Sequence, residues 1–480
     1  MSLSFTHRTR PYTLARSSPV ASSETLVSAD ACTAVFQKLQ SFVKRGTAVK
    51  LILQHRMIGA ADWASNRMRV SSQRSEVSVQ VELTRNGAMG AALTSRLDDD
   101  GLLQAVRDAE HVIQYTSEQW ENIADPFIDT PILTPQLWSN ATANFDATAR
   151  TDVMHHLVEP ATRAGLLSTG LLQTSIEATA TLSSEGLSRY YRSTGAECSI
   201  TVRDVQGTAS GWAGVNHYAL EKIDPQALAT QALDRCQRSV KPVAAEPGRY
   251  TVILSPQAVA DLFEETINYT GRFSAEHGYG PFAGKELGRS KITEQVMDRR
   301  LMLRSDPMDV DGGFLPYDIY TGDSYRPTDW IDRGVLRELS YERDYALSAL
   351  GLDQPLSYPS AEPRAFRLAP APGVPTSTLD EMIGHTDRGI FVTRLHNVVV
   401  MDPDSMLCTG YTRDGLWLIE DGKISKSIKN FRFTESPLFV LNNVEEIGVP
   451  QRVYSNRGWA YVAPAIRVRD FSFTSLADAV

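Results

Sequence analysis

A chain of 480 residues with 42% hydrophobic content can bury a large core and is too long for one domain of usual size. Its formal net charge of −9, from 48 basic and 57 acidic residues, argues against a nucleic-acid-binding surface. The longest apolar runs, such as Val398–Met401, are strand-sized, far short of the roughly 20 residues of a membrane-spanning helix, so no membrane role is expected.

Cys32, Cys198, Cys236 and Cys408 are scattered and form no CxxC pair, which points to a reducing, cytoplasmic location rather than a disulfide framework. Residues 1–25 read as a flexible tail. His7, Arg8, Arg10 and Arg16 precede the first acid, Glu24, and no apolar segment follows them that would make a secretory signal.

Asp30–Phe42 has helical spacing, with Val35, Leu39 and Phe42 on one stripe. Strands are expected at Val49–Leu53, around Met68 and Val70, and through the alternation Val77, Val79, Val81, Leu83. Asn86-Gly87 then marks a tight hairpin into a return strand begun by Met89 and Ala91. Asp98–Tyr115 reads as a helix, Pro131–Phe145 as irregular, and Asp146 to about Leu167 as another helix. Strands follow at Ile176–Leu182 and Tyr190–Val205, then a helix opened by Asp224-Pro225 and running to Arg238.

The connector Lys241–Gly248 separates an N-terminal domain, residues 26–243, from a C-terminal domain, residues 244–480. Beyond it come a buried strand, Tyr250–Leu254, and a helix started by Ser255-Pro256 with Val259, Leu262, Phe263 and Thr266 inward. Gln354–Pro375 reads as a long surface loop, and Ser377 with Asp380 as a capping box. Strands are expected at Ile390–Leu395 and Asn397–Met401. Asp421-Gly422 joins Leu416–Glu420 to Lys423–Ile428 as a hairpin. The fold class is therefore α+β: N-terminal helices packed on a sheet, then a mainly antiparallel C-terminal domain.

Several ordered blocks carry a resemblance. Gly389-Ile390-Phe391-Val392-Thr393-Arg394-Leu395, Met401-Asp402-Pro403, Thr409-Gly410-Tyr411-Thr412-Arg413-Asp414-Gly415, Leu418–Ile424, Lys429–Phe433 and Ser436-Pro437-Leu438 follow one another. Together with Gly248–Pro256 and Phe282–Gly288, they resemble the signature of the TldD/TldE (PmbA) family of metallopeptidase-like proteins. In TldD-type members the helix after the first strand carries HExxxH. Two imidazoles and a third ligand hold zinc there, and the Glu takes a proton from zinc-bound water. Here the matching positions are Phe263, Glu264 and Asn268, and Val449–Ala463, where the family has a Cys ligand, contains none.

The resemblance therefore implies a TldE-like, zinc-free subunit that pairs with a zinc-bearing TldD-type homologue to cleave peptides or related amides. An alternative is an autonomous enzyme with a rebuilt site, drawing on Glu264, Glu265, His277 and His396. A protein-binding regulator is a third. His155, His156 and His217 form no ligand spacing with these. Asp306, Asp309 and Asp311 lack the spacing of a calcium loop and read as an exposed acidic loop. No GxSxG, P-loop or GxGxxG is present.

Overall fold

The computed structural model describes residues 25–116, 132–341, 345–346, 365–455 and 457–477. All but the last residue of the expected 1–25 tail lies outside them.

A six-stranded antiparallel sheet dominates the first half: β1 (Ala48–Ala64), β2 (Arg67–Arg85), β3 (Ala88–Thr94), β4 (Leu167–Ser183), β5 (Ser188–Arg203) and β6 (Ser210–His217), in the order β3-β2-β1-β4-β5-β6. Residues of alternate parity face opposite ways along a strand. Leu51 and Leu53 of β1, Ala180 and Leu182 of β4, and Val79, Val81 and Leu83 of β2 pack against the helices Ala29–Phe42 and Asp99–Ile113. Toward the other edge, Leu172, Ala196, Cys198, Ile200 and Val202 pack against the helices Ala147–Arg163 and Pro225–Arg238. Residues of the opposite parity, among them Gln173, Ser175, Glu177 and Glu197, are left for the other face. There the loop around residues 313–325 covers them: Thr181 Oγ1 donates to Ile319 O at 2.7 Å, and Thr179 Oγ1 lies 3.0 Å from Tyr317 Oη.

Close backbone approach fixes the last helix to β6. A Cβ on Gly211 would lie 2.2 Å from Ala232 O, so only glycine allows this contact. Asp224 caps that helix, accepting from the amides of Gln226 and Ala227, both at 3.0 Å, with Pro225 in its first turn.

The second half holds two sheets. β7 (Gly248–Leu254) is central to the larger one, antiparallel to Ile466–Leu476 and parallel to Arg388–Val392. The smaller sheet is built on Leu301–Ser305, Ala365–Pro370 and Ala460–Ala463. Their shared core contains Val252, Leu254, Phe263, Phe366, Tyr461, Phe431 and Phe473. The class is α+β with mainly antiparallel pairing, the parallel exceptions among the named strands being β7 with Arg388–Val392 and Ala365–Pro370 with Ala460–Ala463.

Four expectations need correction. Gln354–Pro375 is not all loop: Ala365–Pro370 forms a strand between two others, while residues 354–364 lie outside the described residues. The capping box is one residue later, with Thr378 Oγ1 accepting from Glu381 N and Glu381 accepting from Thr378 N. Pro131–Phe145, called irregular, contains the one-turn helix Asn140–Ala143. The acidic loop is not simply exposed, because Arg367 grips both carboxylate oxygens of Asp309, at 2.5 and 2.7 Å, and holds it below the ordinary carboxylate range.

Candidate functional site at the motif helix

β7 ends at Leu254, and the next residue, Ser255, caps the following helix: its hydroxyl accepts from Ala258 N at 3.2 Å and donates to Thr393 O at 2.6 Å. Pro256 occupies the first turn, and the helix runs Pro256–Ile267. The local signal Ser-Pro after a buried strand thus places the degenerate motif on a helix whose start is tied to the Thr393-Arg394 block.

The motif positions then divide. Phe263 is buried at 2% exposure and meets Phe366 edge-on with centroids 5.4 Å apart; Phe366 in turn stacks on Tyr461 at 4.3 Å. Glu264 points the other way. Its Oε1 lies 3.0 Å from Arg457 Nε and accepts from the Tyr461 hydroxyl at 3.2 Å. Arg457 also donates from Nη2 to Glu265 Oε1 at 3.1 Å and from Nη1 to Asn268 Oδ1 at 2.9 Å. Asn268, the C-cap of the helix, donates its own Nδ2 to Glu265 Oε2 at 3.1 Å. One planar guanidinium therefore holds Glu264, Glu265 and Asn268 together.

Arg457 comes from Val449–Ala463, the segment where the resemblance leads one to expect a Cys ligand. That segment is fastened to the helix by a two-way bond: Gln257 Nε2 donates to Tyr454 O at 3.1 Å, and Tyr454 N donates to Gln257 Oε1 at 3.0 Å. It also reaches the first sheet, since Asn216 Nδ2 donates to Trp459 O at 3.2 Å and Tyr454 Oη donates to Glu197 Oε1.

Burial raises Glu264 above the ordinary carboxylate range, with Arg457 opposing it. One turn earlier, Asp261 is pushed up to about 6 by burial, against the pull of Arg394. Asp261 accepts from Gln257 Nε2 at 2.8 Å and from Leu395 N at 2.9 Å. Neither Asp261 nor Arg457 was singled out from the sequence. Asp261 and Glu264 do stand at helical spacing on a largely apolar helix, a signal that could have paired them. Arg457 left no such trace.

Zinc needs neutral imidazole, thiolate or carboxylate donors converging on one point. Phe263 offers no donor, Asn268 is committed to Arg457, and the cation beside Glu264 is a guanidinium. These residues do not fit a zinc ion. Among the described residues no group of three or more His, Cys, Asp or Glu is placed to hold a metal.

The structure does not join the candidate histidines to Glu264. His277 is exposed, stacked on Phe273 with centroids 4.0 Å apart, its Nδ1 2.8 Å from Phe273 O. His396 lies on the strand Leu395–Asp402 opposite Tyr411; burial and the nearby Arg413 and Arg394 lower its pKa. His155 and His156 are exposed on their helix.

A cavity of about 340 Å³ opens beside the site. Arg457, Trp459 and Arg452 line one side, and β4, β5 and β6 the other. The degenerate motif thus borders this half-open cavity through Arg457, on the sheet face opposite the helices. Among the described residues no helix is long and apolar enough to cross a membrane.

Residues 247–475 match the family model of the PmbA/TldA metallopeptidase C-terminal domain. No curated protein matches the chain. Three solved structures share its fold over nearly its whole length. A protein from Bacteroides thetaiotaomicron, described as a candidate modulator of DNA gyrase, aligns at 17% identity with a TM-score of 0.79, covering 94% of this chain and 100% of its own. One from Thermotoga maritima under the same description aligns at 15% identity and 0.77, covering 92% and 100%. TldE from Thermococcus kodakarensis aligns at 16% identity and 0.74, covering 93% and 100%. With its own signature blocks inside the matched region and its whole fold shared, the chain belongs to the TldD/TldE (PmbA) family of metallopeptidase-like proteins.

Proposed function

We propose that the chain is a TldE-like, non-catalytic subunit that pairs with a zinc-bearing TldD-type homologue. The pair would hydrolyse peptides or related amides. The partner would supply zinc, the general base and the bond cleavage, and this chain would shape the space that holds the substrate. The observation that carries this reading is the Arg457–Glu264 ion pair at 3.0 Å. In the family's active helix the equivalent Glu takes a proton from metal-bound water. Here, although burial raises its pKa, its oxygen is held by a guanidinium and the Tyr461 hydroxyl, so the neighbour it faces is a fixed cation.

The rival, an autonomous enzyme using Glu264, His277 and His396, draws less support, because each of these side chains has different neighbours. A regulatory, protein-binding role has no particular side chain behind it. The four cysteines, all buried and unpaired, favour a reducing, cytoplasmic setting.

The test is to purify the chain alone and together with a TldD-type homologue carrying intact HExxxH. Zinc content and peptide hydrolysis are then measured on both. Hydrolysis confined to the mixture supports the proposal. Zinc-dependent hydrolysis by the isolated chain overturns it.

A further inference from the structure

Pairing with a catalytic subunit does not explain why the cavity floor is so polar. That floor is made of cross-strand rungs. Asn216 stands opposite Glu197, and Glu197 opposite Gln173. The next rung on the same face pairs Ser175 with Gly195, and the one after pairs Glu177 with both Arg56 and Ser193. From the first rung to the third is about 13 Å, at about 3.3 Å per residue. The middle rung is the lowest: a Cβ on Gly195 would come 2.8 Å from Ser175 Oγ. The floor is thus a groove with charged groups at both ends and small ones between.

At one end two side chains carry unfilled hydrogen-bonding capacity. His217 is 5% exposed and Asn216 is 7% exposed, and both line the cavity. His217 Nδ1 accepts from Ala219 N at 2.9 Å, which leaves the proton of the neutral ring on Nε2, and Nε2 has no partner. Asn216 gives its Nδ2 to Trp459 O, and its Oδ1 has no partner. Beside them Arg452 donates Nε to Asn216 O at 2.5 Å and Nη1 to Asp311 O. Both acceptors are carbonyls, so no carboxylate is hydrogen-bonded to this guanidinium. Leaving buried donors and acceptors unmet is costly, and such groups in a folded protein call for a partner.

The lining carries charges of both signs. Arg56, Arg452 and Arg457 face Glu177 and Glu197. Arg457 is committed to Glu264 and Glu265, and Glu197 to the Tyr454 hydroxyl. A neutral hydroxyl leaves the Glu197 charge in place, so Arg56 and Arg452 stand against Glu177 and Glu197 and the lining is balanced, with the Asp311 carboxylate also acting on Arg452. The choice of ligand therefore rests on the local set of donors and acceptors beside Arg452. A cationic group and a neutral N–H donor adjoin an amide acceptor, and this set matches the end of a polypeptide, where a carboxylate stands next to the last peptide N–H. Phe314, Tyr325 and Tyr218 line the walls and offer surface to side chains.

We propose that this cavity binds the C-terminal end of a short peptide, two to four residues in extended form at about 3.3 Å each. Arg452 and His217 Nε2–H receive the carboxylate, and Asn216 Oδ1 accepts from the last peptide N–H. The choice of a peptide over another small carboxylate rests on the substrate-holding role proposed above. The site itself requires neither zinc nor the partner.

The test uses the isolated full chain and titration calorimetry with tri-alanine, tri-alanine C-terminal amide, N-acetyl-tri-alanine and free alanine. Tri-alanine and its N-acetyl form bind, while the amide binds at least about tenfold more weakly, the scale set by about 1.4 kcal/mol in binding. Free alanine, too short to span the groove, binds more weakly than tri-alanine. Arg452→Gln loses at least about tenfold in tri-alanine affinity, and Gly195→Leu, which fills the middle rung, abolishes binding. Thermal unfolding of each variant reports whether it is folded. Absence of saturable tri-alanine binding to the wild-type chain overturns the proposal. So does equal affinity for acid and amide, affinity for free alanine matching tri-alanine, or full binding by folded Gly195→Leu. Because no partner or turnover is involved, these outcomes are independent of whether the chain is the non-catalytic member of a pair.

Discussion

Arg457 reaches Glu264 at 3.0 Å from the segment where the family resemblance leads one to expect a metal ligand, so a guanidinium stands beside the acid of the degenerate motif. Its side chain is 32% exposed and that of Glu264 17%, so the pair is partly screened by solvent. Arg457→Met should lower stability by about 1 kcal/mol or less while raising the Glu264 pKa further, because burial already pushes it up and Arg457 opposes that. A carboxyl-detected NMR titration of Glu264 in the two proteins checks the direction.

Phe263 is structural rather than a vacated ligand position awaiting repair. Phe263→Ala should cost about 3–5 kcal/mol in urea unfolding, as expected for a buried aromatic in contact with another ring. Phe263→His with Asn268→His should not create a stoichiometric zinc site while Arg457 remains against Glu264. Metal analysis of the folded double variant decides this.

Two buried groups should tilt the pH dependence of stability in opposite senses. Asp261 ordinarily titrates at 3.8 and is raised to about 6 when folded. Between those values the folded chain holds a proton that the unfolded chain has lost, so this contribution is present at low pH and lost as pH rises through about 6. His217 is lowered from 6.5 to about 4, by burial first and then by Arg452. Between about 4 and 6.5 the unfolded chain binds the proton, so this contribution grows as pH rises. Asp261→Asn should make stability climb more steeply across pH 4 to 6, and His217→Gln should flatten the climb. Urea unfolding at several pH values across that window measures both slopes.

Gly211 admits the helix Pro225–Arg238 to within backbone contact of β6. Gly211→Ala should destabilise the chain by about 1–3 kcal/mol, because the new methyl would meet Ala232 O at 2.2 Å and Cys236 N at 2.5 Å. Thermal unfolding should show this as a lower midpoint.

What the sequence disclosed was mostly local. Ser255-Pro256, Asp224-Pro225 and Asn86-Gly87 each set a chain direction through their own backbone preferences, and the structure starts or turns its elements at those positions. β1 was legible only over Val49–Leu53 although it runs Ala48–Ala64. Beyond His55 its partner residues Ser71, Ser72, Gln73 and Arg74 are polar on both faces, so the apolar alternation that marks a half-buried strand disappears. At the site, the family blocks located the helix and its missing ligands, and Phe263 shows the burial its apolar stripe implied. Arg457 could not be anticipated, because it meets Glu265 across 192 residues and an arginine carries no mark of its partner. The cavity was equally hidden, since its floor depends on which strands are neighbours: Glu177 and Glu197 come together only through the pairing of β4 with β5.

The central claim is that Arg457 and Phe263 have replaced a metal site, leaving this chain the non-catalytic member of a pair. The most direct measurement is zinc content and peptide hydrolysis of the full chain, alone and mixed with a TldD-type homologue carrying intact HExxxH. The account predicts no bound zinc and no hydrolysis for the chain alone, and in the mixture a stable complex with about one zinc per pair and turnover that vanishes when the partner's zinc is removed. Stoichiometric zinc and zinc-dependent turnover in the isolated chain, or a failure of the two proteins to associate, would contradict it.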